Sequence, residues 1–173
     1  MKTCLPLIVF VALLTVVNFA APPVRAADTV SAADKAFVMK AAQGGMTEVE
    51  LGQLAASQGA SQEVKDFGSK MVTDHGAANA ELKTLAASKS ITLPDKLDAQ
   101  HAAMVDKMKA LSGAAFDKAY VKAMVAAHKK DDALFSKEAS SGSDPDIKAF
   151  AAKTDQTVKM HLTMIEDIQS KMK

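Results

Sequence analysis

The sequence of 173 residues contains a single cysteine, a single arginine and no tryptophan. Cys4 and Arg25 both lie in the N-terminal stretch, so residues 27–173 can form neither an internal disulfide nor a thiolate metal site. All other basic residues are lysines. Because the planar guanidinium is the usual reader of phosphate and guanine, we expect no nucleic-acid partner.

Residues 1–26 have the pattern of a secretory signal peptide. Lys2 precedes a mostly apolar run over residues 5–19, and small residues follow at a cleavage position before Ala27. Cys4 lies before the apolar run, whereas a lipid-attachment cysteine would follow it. We expect a mature chain that begins at Ala27, has no transmembrane segment and is periplasmic or secreted, with outer-membrane association left open. An uncleaved membrane anchor is the alternative.

Residues 27–173 hold 19 lysines and 20 acidic residues, so this part of the chain is close to neutral. Its length fits one domain with a single core. Alanine, leucine, lysine, methionine and acidic residues are abundant and aromatic residues are few, which favours helix. We therefore predict one all-α domain over residues 27–173.

Apolar residues three and four apart predict four long helices. They cover residues 31–57, 61–88 and 114–139, and a fourth begins near Pro145. The two halves look alike, since each is a helix pair joined by a short turn. An amphipathic segment over residues 95–111 is long enough to run along the bundle, which makes the second and third long helices parallel. Lys65 and Lys118 would then lie at the same end.

Four polar residues interrupt the apolar stripes, each in the middle third of a different long helix: Glu48, His75, His128 and His161. A bundle brings them to one level, while Glu50 and His101 should lie off it. One carboxylate and three imidazoles suit a single divalent transition metal, either zinc, manganese, iron or copper. The alternative is a metal-free polar layer in which Glu48 accepts from the imidazoles and from Tyr120.

Several neighbouring residues bear on this site. A methionine lies three or four residues from each histidine, which favours copper unless these side chains only fill the core. Asp132 lies one turn after His128 and could orient its ring. Gly44 and Gly45 lie one turn before Glu48, where they allow close packing or make room for a ligand. Ordinary imidazoles would take up protons, and lose metal, near pH 6.5.

Several segments resemble a family of bacterial secreted ferritin-like proteins of unknown function, often labelled predicted outer membrane proteins. The resemblance lies in Asp34 to Phe37, Glu48 to Gly52, Met71 to His75, Tyr120 with His128, and Lys159 to His161. It implies a ferritin-like four-helix bundle in the periplasm or outside the cell, and it implies no established activity. From the sequence pattern we predict a short additional helix in the crossover between the second and third long helices. Valines stand three residues before each of the three histidines, where a di-iron protein has glutamate at two such positions, so we expect no ferroxidase.

The leading functional hypothesis is a non-catalytic envelope protein that binds a metal ion or small ligand in mid-bundle and protects against envelope stress. A small oxidoreductase with a mononuclear metal is the second hypothesis. The third is a structural or partner-binding bundle whose histidines only pair with each other. The sequence identifies no protein partner.

Overall fold

Five α-helices make up most of the computed structural model, which describes residues 30–172. Their bounds are α1 Ala32–Gln58, α2 Gln62–Ser88, α3 Ala99–Lys109, α4 Gly113–Ser141 and α5 Pro145–Lys171. The predicted all-α bundle is confirmed, and the short helix α3 is four residues shorter at its start than the predicted segment. The predicted signal peptide over residues 1–26, with its cleavage before Ala27, lies outside the described residues.

Side-chain caps begin four of these helices. The Ser31 hydroxyl accepts from the backbone N–H of Asp34 at 3.0 Å, and the Ser61 hydroxyl accepts from Val64 at 3.3 Å. Asp98 and Asp144 cap α3 and α5 in the same way. Each cap satisfies an N–H that has no partner inside its helix, so short polar residues fix where the helices begin.

The short turns make α1–α2 and α4–α5 two antiparallel hairpins, and α3 lies in the connection between them. The Asp117 carboxylate, in the first turns of α4, accepts from the backbone N–H groups of Ala60 and Ser61 at 2.9 and 2.8 Å. These two groups lie at the start of α2. The starts of α2 and α4 therefore share one end of the bundle, and the predicted parallel crossover is confirmed.

The opposite end repeats this contact. The Asp34 carboxylate, near the start of α1, accepts from the backbone N–H groups of Ser143 and Asp144 at 3.0 and 2.9 Å. Each hairpin thus uses an aspartate on its first helix to hold the turn of the other hairpin.

The two hairpins are related by a constant spacing of 83 residues. Helices α2 and α5 both contain 27 residues, and both their starts and their ends are 83 residues apart. The same spacing relates several pairs of identical residues, among them Asp34 and Asp117, Gly59 and Gly142, and Phe67 and Phe150. The fold therefore contains two similar helical hairpins joined by the segment that contains α3.

Two apolar clusters fill the bundle, one toward each end. The α3-end cluster contains Leu51, Phe67, Met71, Phe116, Tyr120, Met124 and Ile165, among others. The far-end cluster contains Phe37, Val38, Leu82, Phe135, Ile147, Phe150 and Val158, among others. On α2, α4 and α5 the histidine lies between residues of the two clusters, and Glu48 does the same on α1. The core is thus divided by one polar layer.

Among the described residues, no helix is long and apolar enough to cross a membrane.

Candidate metal centre

The structure brings the four predicted site residues together in this polar layer. The ring centroids of His75, His128 and His161 lie 5.2 to 5.7 Å apart. Glu48 Oε2 lies 3.0 Å from Nδ1 of His75, and Glu48 Oε1 lies 3.6 Å from Nδ1 of His128. His128 and His161 are fully buried, and Glu48 and His75 are each only 5% exposed. The shared level inferred from helix positions is therefore present in the fold.

Each imidazole has one ring nitrogen close to an acceptor oxygen of the protein. Nδ1 of His75 lies 3.0 Å from Glu48 Oε2, and Nδ1 of His128 donates to the Met124 carbonyl at 3.0 Å. Nε2 of His161 donates to Asp74 Oδ2 at 2.7 Å. Because the acceptors are carboxylate or carbonyl oxygens, they fix the tautomers and leave the lone pair on the other nitrogen.

The three remaining nitrogens are buried and have no hydrogen-bond partner among the described residues: Nε2 of His75, Nε2 of His128 and Nδ1 of His161. Each of the three rings also offers a ligand atom that lies within 4.8 Å of the ligand atoms of the other two. An unsatisfied polar atom in a core costs on the order of 1 to 3 kcal/mol. A single metal ion held between the three rings could satisfy such atoms.

The pKa values of these imidazoles are low. Burial, with the neighbouring charges of His128 and His161, lowers the pKa of His75 to about 3. Burial, with the charge of His161, lowers the pKa of His128 to about 4. Burial also lowers the pKa of His161, although Asp74 opposes it. The prediction of ordinary imidazole titration near pH 6.5 is thus wrong, and the rings are neutral at neutral pH.

Two predicted contacts differ in the structure. Asp132 does not orient His128, because its carboxylate accepts from Ser136 and pairs with Lys159, and the Met124 carbonyl holds the ring instead. The Tyr120 hydroxyl is buried without a hydrogen-bond partner among the described residues, so it does not donate to Glu48.

His101 and Glu50 lie off the site, as predicted. His101 is on α3, where its Nδ1 contacts Asp98 Oδ1 at 2.8 Å, and Glu50 is half-buried on α1 outside the His/Glu cluster.

Asp74 and Asp131 are the carboxylates whose roles the sequence left unassigned. Asp74 pairs with Lys70 at 2.9 Å as well as with His161. Asp131 has a ligand oxygen within 4.8 Å of ligand atoms of Glu48 and His128. The signal for Asp131 was its place three residues after His128, on the same inner face of α4.

Two cavities adjoin the layer. A cavity of about 290 Å³ between α2 and α5 is lined by Lys70, Asp74, His75 and Met160, among others. Met160 is 44% exposed, so this outer cavity reaches His75 from the surface. A smaller inner cavity of about 20 Å³ lies beside Glu48 and Asp131.

The methionines next to the histidines belong mainly to the core. Met71 and Met124 are buried in the α3-end cluster, and Met164 packs against it. Their burial among apolar side chains supports the interpretation that they fill space.

Comparisons with known proteins identify the family and the fold. A family model described as a domain of unknown function, DUF4142, matches residues 19–168. No curated protein matches the sequence. A crystal structure of a DUF305 fragment from Deinococcus radiodurans has a TM-score of 0.70 at 12% identity, over 80% of this chain and 96% of that chain.

Two structures of a protein named CopM have the same fold. Its Cu(II)-bound form has a TM-score of 0.65 at 14% identity, over 78% of this chain and 93% of that chain. Its Ag-bound form has a TM-score of 0.65 at 13% identity, over 79% and 95%. At such identities the likeness shows the fold alone. The helical domain of unknown function implied by the resemblance is thereby supported, and the ferritin-like and outer-membrane labels stay predictions.

Proposed function

We propose that this chain, which belongs to the DUF4142 family, is a non-catalytic protein that binds one copper ion through His75, His128 and His161. The observation that carries the proposal is a cluster of three buried imidazoles, each with one nitrogen that has no hydrogen-bond partner among the described residues and each offering a ligand atom within 4.8 Å of the ligand atoms of the other two. Each ring is already neutral and has its proton on the nitrogen that faces away from the proposed metal position. An ion therefore meets three available lone pairs.

A purely structural layer explains this arrangement poorly. Histidines that served only to hold helices together would use both ring nitrogens, because each unsatisfied one costs on the order of 1 to 3 kcal/mol. Here each ring leaves one buried nitrogen without a partner among the described residues, and the three rings lie together in one layer. One metal ion would offset all three costs at once.

Copper is favoured over the other candidate metals by two arguments. Imidazole nitrogens suit copper, zinc, iron and nickel, and copper has the highest affinity of the divalent series for a given nitrogen site. The second argument is the shared fold with CopM, whose structures are named as Cu(II)-bound and Ag-bound. The carboxylates of Glu48 and Asp74, behind His75 and His161, would increase the basicity of those two ligands.

We assign to Glu48 the role of orienting His75 rather than that of a fourth ligand. Its Oε2 already lies 3.0 Å from Nδ1 of His75, on the opposite side of the ring from the available Nε2. A carboxylate in this position holds the ring and its tautomer, as outer partners of metal-bound histidines commonly do.

We further propose that the ion enters through the outer cavity and that the protein acts outside the cytoplasm. The outer cavity is lined by both His75 and Asp74, which itself holds His161. Export rests on the predicted signal peptide over residues 1–26. Holding copper in a buried site of neutral imidazoles would limit its reactions with other envelope components, which fits a role in stress protection.

Elemental analysis and thermal melts test the proposal. Purified protein is incubated with Cu²⁺, Zn²⁺ or Mn²⁺ and dialysed, and we expect one copper per wild-type chain and none in His161→Ala. The matched control is His101→Ala, which removes the partly exposed histidine of α3 and should bind as wild type does. Copper at about 100 times its Kd stabilises the fold by about 2.7 kcal/mol, so the wild-type Tm should rise by several degrees.

Equal melts with and without each metal, or equal copper content in His161→Ala and wild type, would contradict the proposal. Zinc binding with no copper binding would keep the ligand set and overturn the choice of metal.

A further inference from the structure

A second set of polar side chains lies beside the three-imidazole site, between α1 and α4. Glu48 and Asp131 are 83 residues apart, so they occupy equivalent positions in the two hairpins. Glu48 is 5% exposed, and its Oε1 has no hydrogen-bond donor among the described residues. The nearby Nδ1 of His128, at 3.6 Å, already gives its proton to the Met124 carbonyl.

The inner cavity lies directly against these carboxylates. Its volume is about 20 Å³, enough for one water molecule or one monoatomic ion. Glu48, Asp131 and Asn79 line it together with Gly44 and Gly45. A Cβ at position 45 would overlap the carboxamide oxygen of Asn79, so glycine is needed there to admit that oxygen. The cavity is therefore built with three oxygen-bearing side chains around it.

We propose that this inner cavity is a second cation site, which takes a hard divalent ion such as Mn²⁺ through Glu48, Asp131 and Asn79. A buried carboxylate at Glu48 and a half-buried one at Asp131 repel each other, and a divalent ion balances their charge. Carboxylate and amide oxygens are the donors that Mg²⁺, Ca²⁺ and Mn²⁺ prefer, whereas copper prefers the imidazoles next to them. The layer would then hold two different ions side by side.

Glu48 touches both sites in this arrangement. Its Oε2 lies 3.0 Å from Nδ1 of His75, and its Oε1 is left for the inner cavity. The two sites do not compete for the same atom, so manganese binding does not require the copper site to be filled, nor copper binding the manganese site.

Mn²⁺ alone is the probe, measured by the loss of the free-ion EPR signal on titration with the full protein. We expect one bound Mn²⁺ per chain. Asp131→Asn should weaken binding at least about ten-fold, because it removes a charged ligand. The matched control is Asp132→Asn, since this neighbouring carboxylate contacts Ser136 and Lys159 instead, and its Kd should equal that of wild type.

A glycine pair tests the cavity without removing a carboxylate. Gly45→Ala should displace the Asn79 carboxamide and weaken Mn²⁺ binding, again by about ten-fold. The control is Gly76→Ala, at a glycine outside the cavity lining where an added Cβ has no described atom within 4 Å, and it should leave the affinity unchanged. Circular dichroism of all four variants shows that each is folded, so a loss of binding can be assigned to the site.

His161→Ala separates this proposal from the copper proposal, because His161 contacts neither carboxylate of the second site. It should lose copper and keep Mn²⁺. Wild-type protein that binds Mn²⁺ but no copper would overturn the copper proposal and support the second site. Absence of bound Mn²⁺ in wild type, or equal binding in Asp131→Asn and Asp132→Asn, would overturn the second site and leave the cavity to a water molecule.

Discussion

The two hairpins are alike at their ends and different in their middles. At the ends, Asp34 and Asp117 hold the opposite turns in the same way, and Gly59 and Gly142 occupy matching turn positions. In the middle, the positions equivalent to the three histidines are Val158 for His75, Gly45 for His128 and Ala78 for His161. The contacts that hold the turns are therefore repeated in both hairpins. The histidines of the proposed site are not repeated, because they lie at positions where the two hairpins differ.

The pair Gly45 and His128 shows what this difference allows. In α4 the position carries an imidazole of the proposed copper site, and in α1 the missing side chain leaves room for Asn79 beside the inner cavity. Within the polar layer, the pair Glu48 and Asp131 carries an acid in both hairpins. Two similar hairpins thus support an asymmetric site, because equivalent positions in the two hairpins carry different side chains.

The largest expected effect comes from truncating the equivalent aromatic residues Phe67 and Phe150. Both are buried, so Phe67→Ala and Phe150→Ala should each lower the free energy of unfolding by about 3 to 5 kcal/mol. The Phe67 ring lies 6.3 and 6.0 Å from the rings of His128 and His161, whereas that of Phe150 lies 6.3 Å from Phe135. Urea unfolding and copper titration of both variants compare the two positions.

Only Phe67→Ala should also weaken copper binding, because it loosens the packing of two ligand rings. If both variants bound copper equally well, this would contradict the claim that Phe67 supports the copper ligands and that Phe150, in the far-end cluster, does not.

An intermediate effect is expected from the two aspartates that hold the turns. Asp34→Ala and Asp117→Ala each leave two backbone N–H groups without a charged acceptor, which should cost about 1 to 3 kcal/mol. Because the aspartates lie at opposite ends, the double variant should lose the sum of the two single losses. Denaturant melts of the three variants measure this, and a double variant far from additive would show that the two ends are coupled.

The smallest effect concerns Glu138, which breaks the symmetry at one end because its equivalent in the first hairpin is Ala55. Burial and the nearby Asp34 raise the pKa of Glu138 to about 6, above its ordinary value. The folded state therefore holds this proton more tightly than the unfolded chain does. The resulting stabilisation is complete below pH 4.5 and is lost as the pH rises through about 6.

Glu138→Gln removes this titration while keeping the shape of the side chain. We expect the variant to be about 1 to 2 kcal/mol more stable than wild type at pH 7.5 and equal to it near pH 4. Glu63→Gln, at an exposed carboxylate that pairs with Lys171, serves as the control and should change little at either pH. A constant difference between Glu138→Gln and wild type at all pH values would contradict the assignment.

Local patterns in the sequence were enough to predict the helices and their order. Capping residues such as Ser31 and Ser61 are local signals, and so is the apolar spacing, because each involves residues only a few positions apart. Such signals can be interpreted without any distant contact. The start of α3 was predicted four residues too early. Residues 95–98 fit the amphipathic pattern, but Asp98 is the N-cap residue and the helix begins at Ala99. The parallel arrangement of the second and third long helices was predicted from the length of the connecting segment, which is long enough to run along the bundle.

The sequence by itself placed Glu48, His75, His128 and His161 at one depth, because helical periodicity and position along a helix are local properties of the chain. The tertiary structure decided which nitrogen of each ring has a partner, that Asp74 and not Asp132 orients a histidine, and that Asn79 enters the space above Gly45. These contacts join different helices. They depend on helix rotations and separations that the summed packing of the whole core sets, and no single segment encodes them.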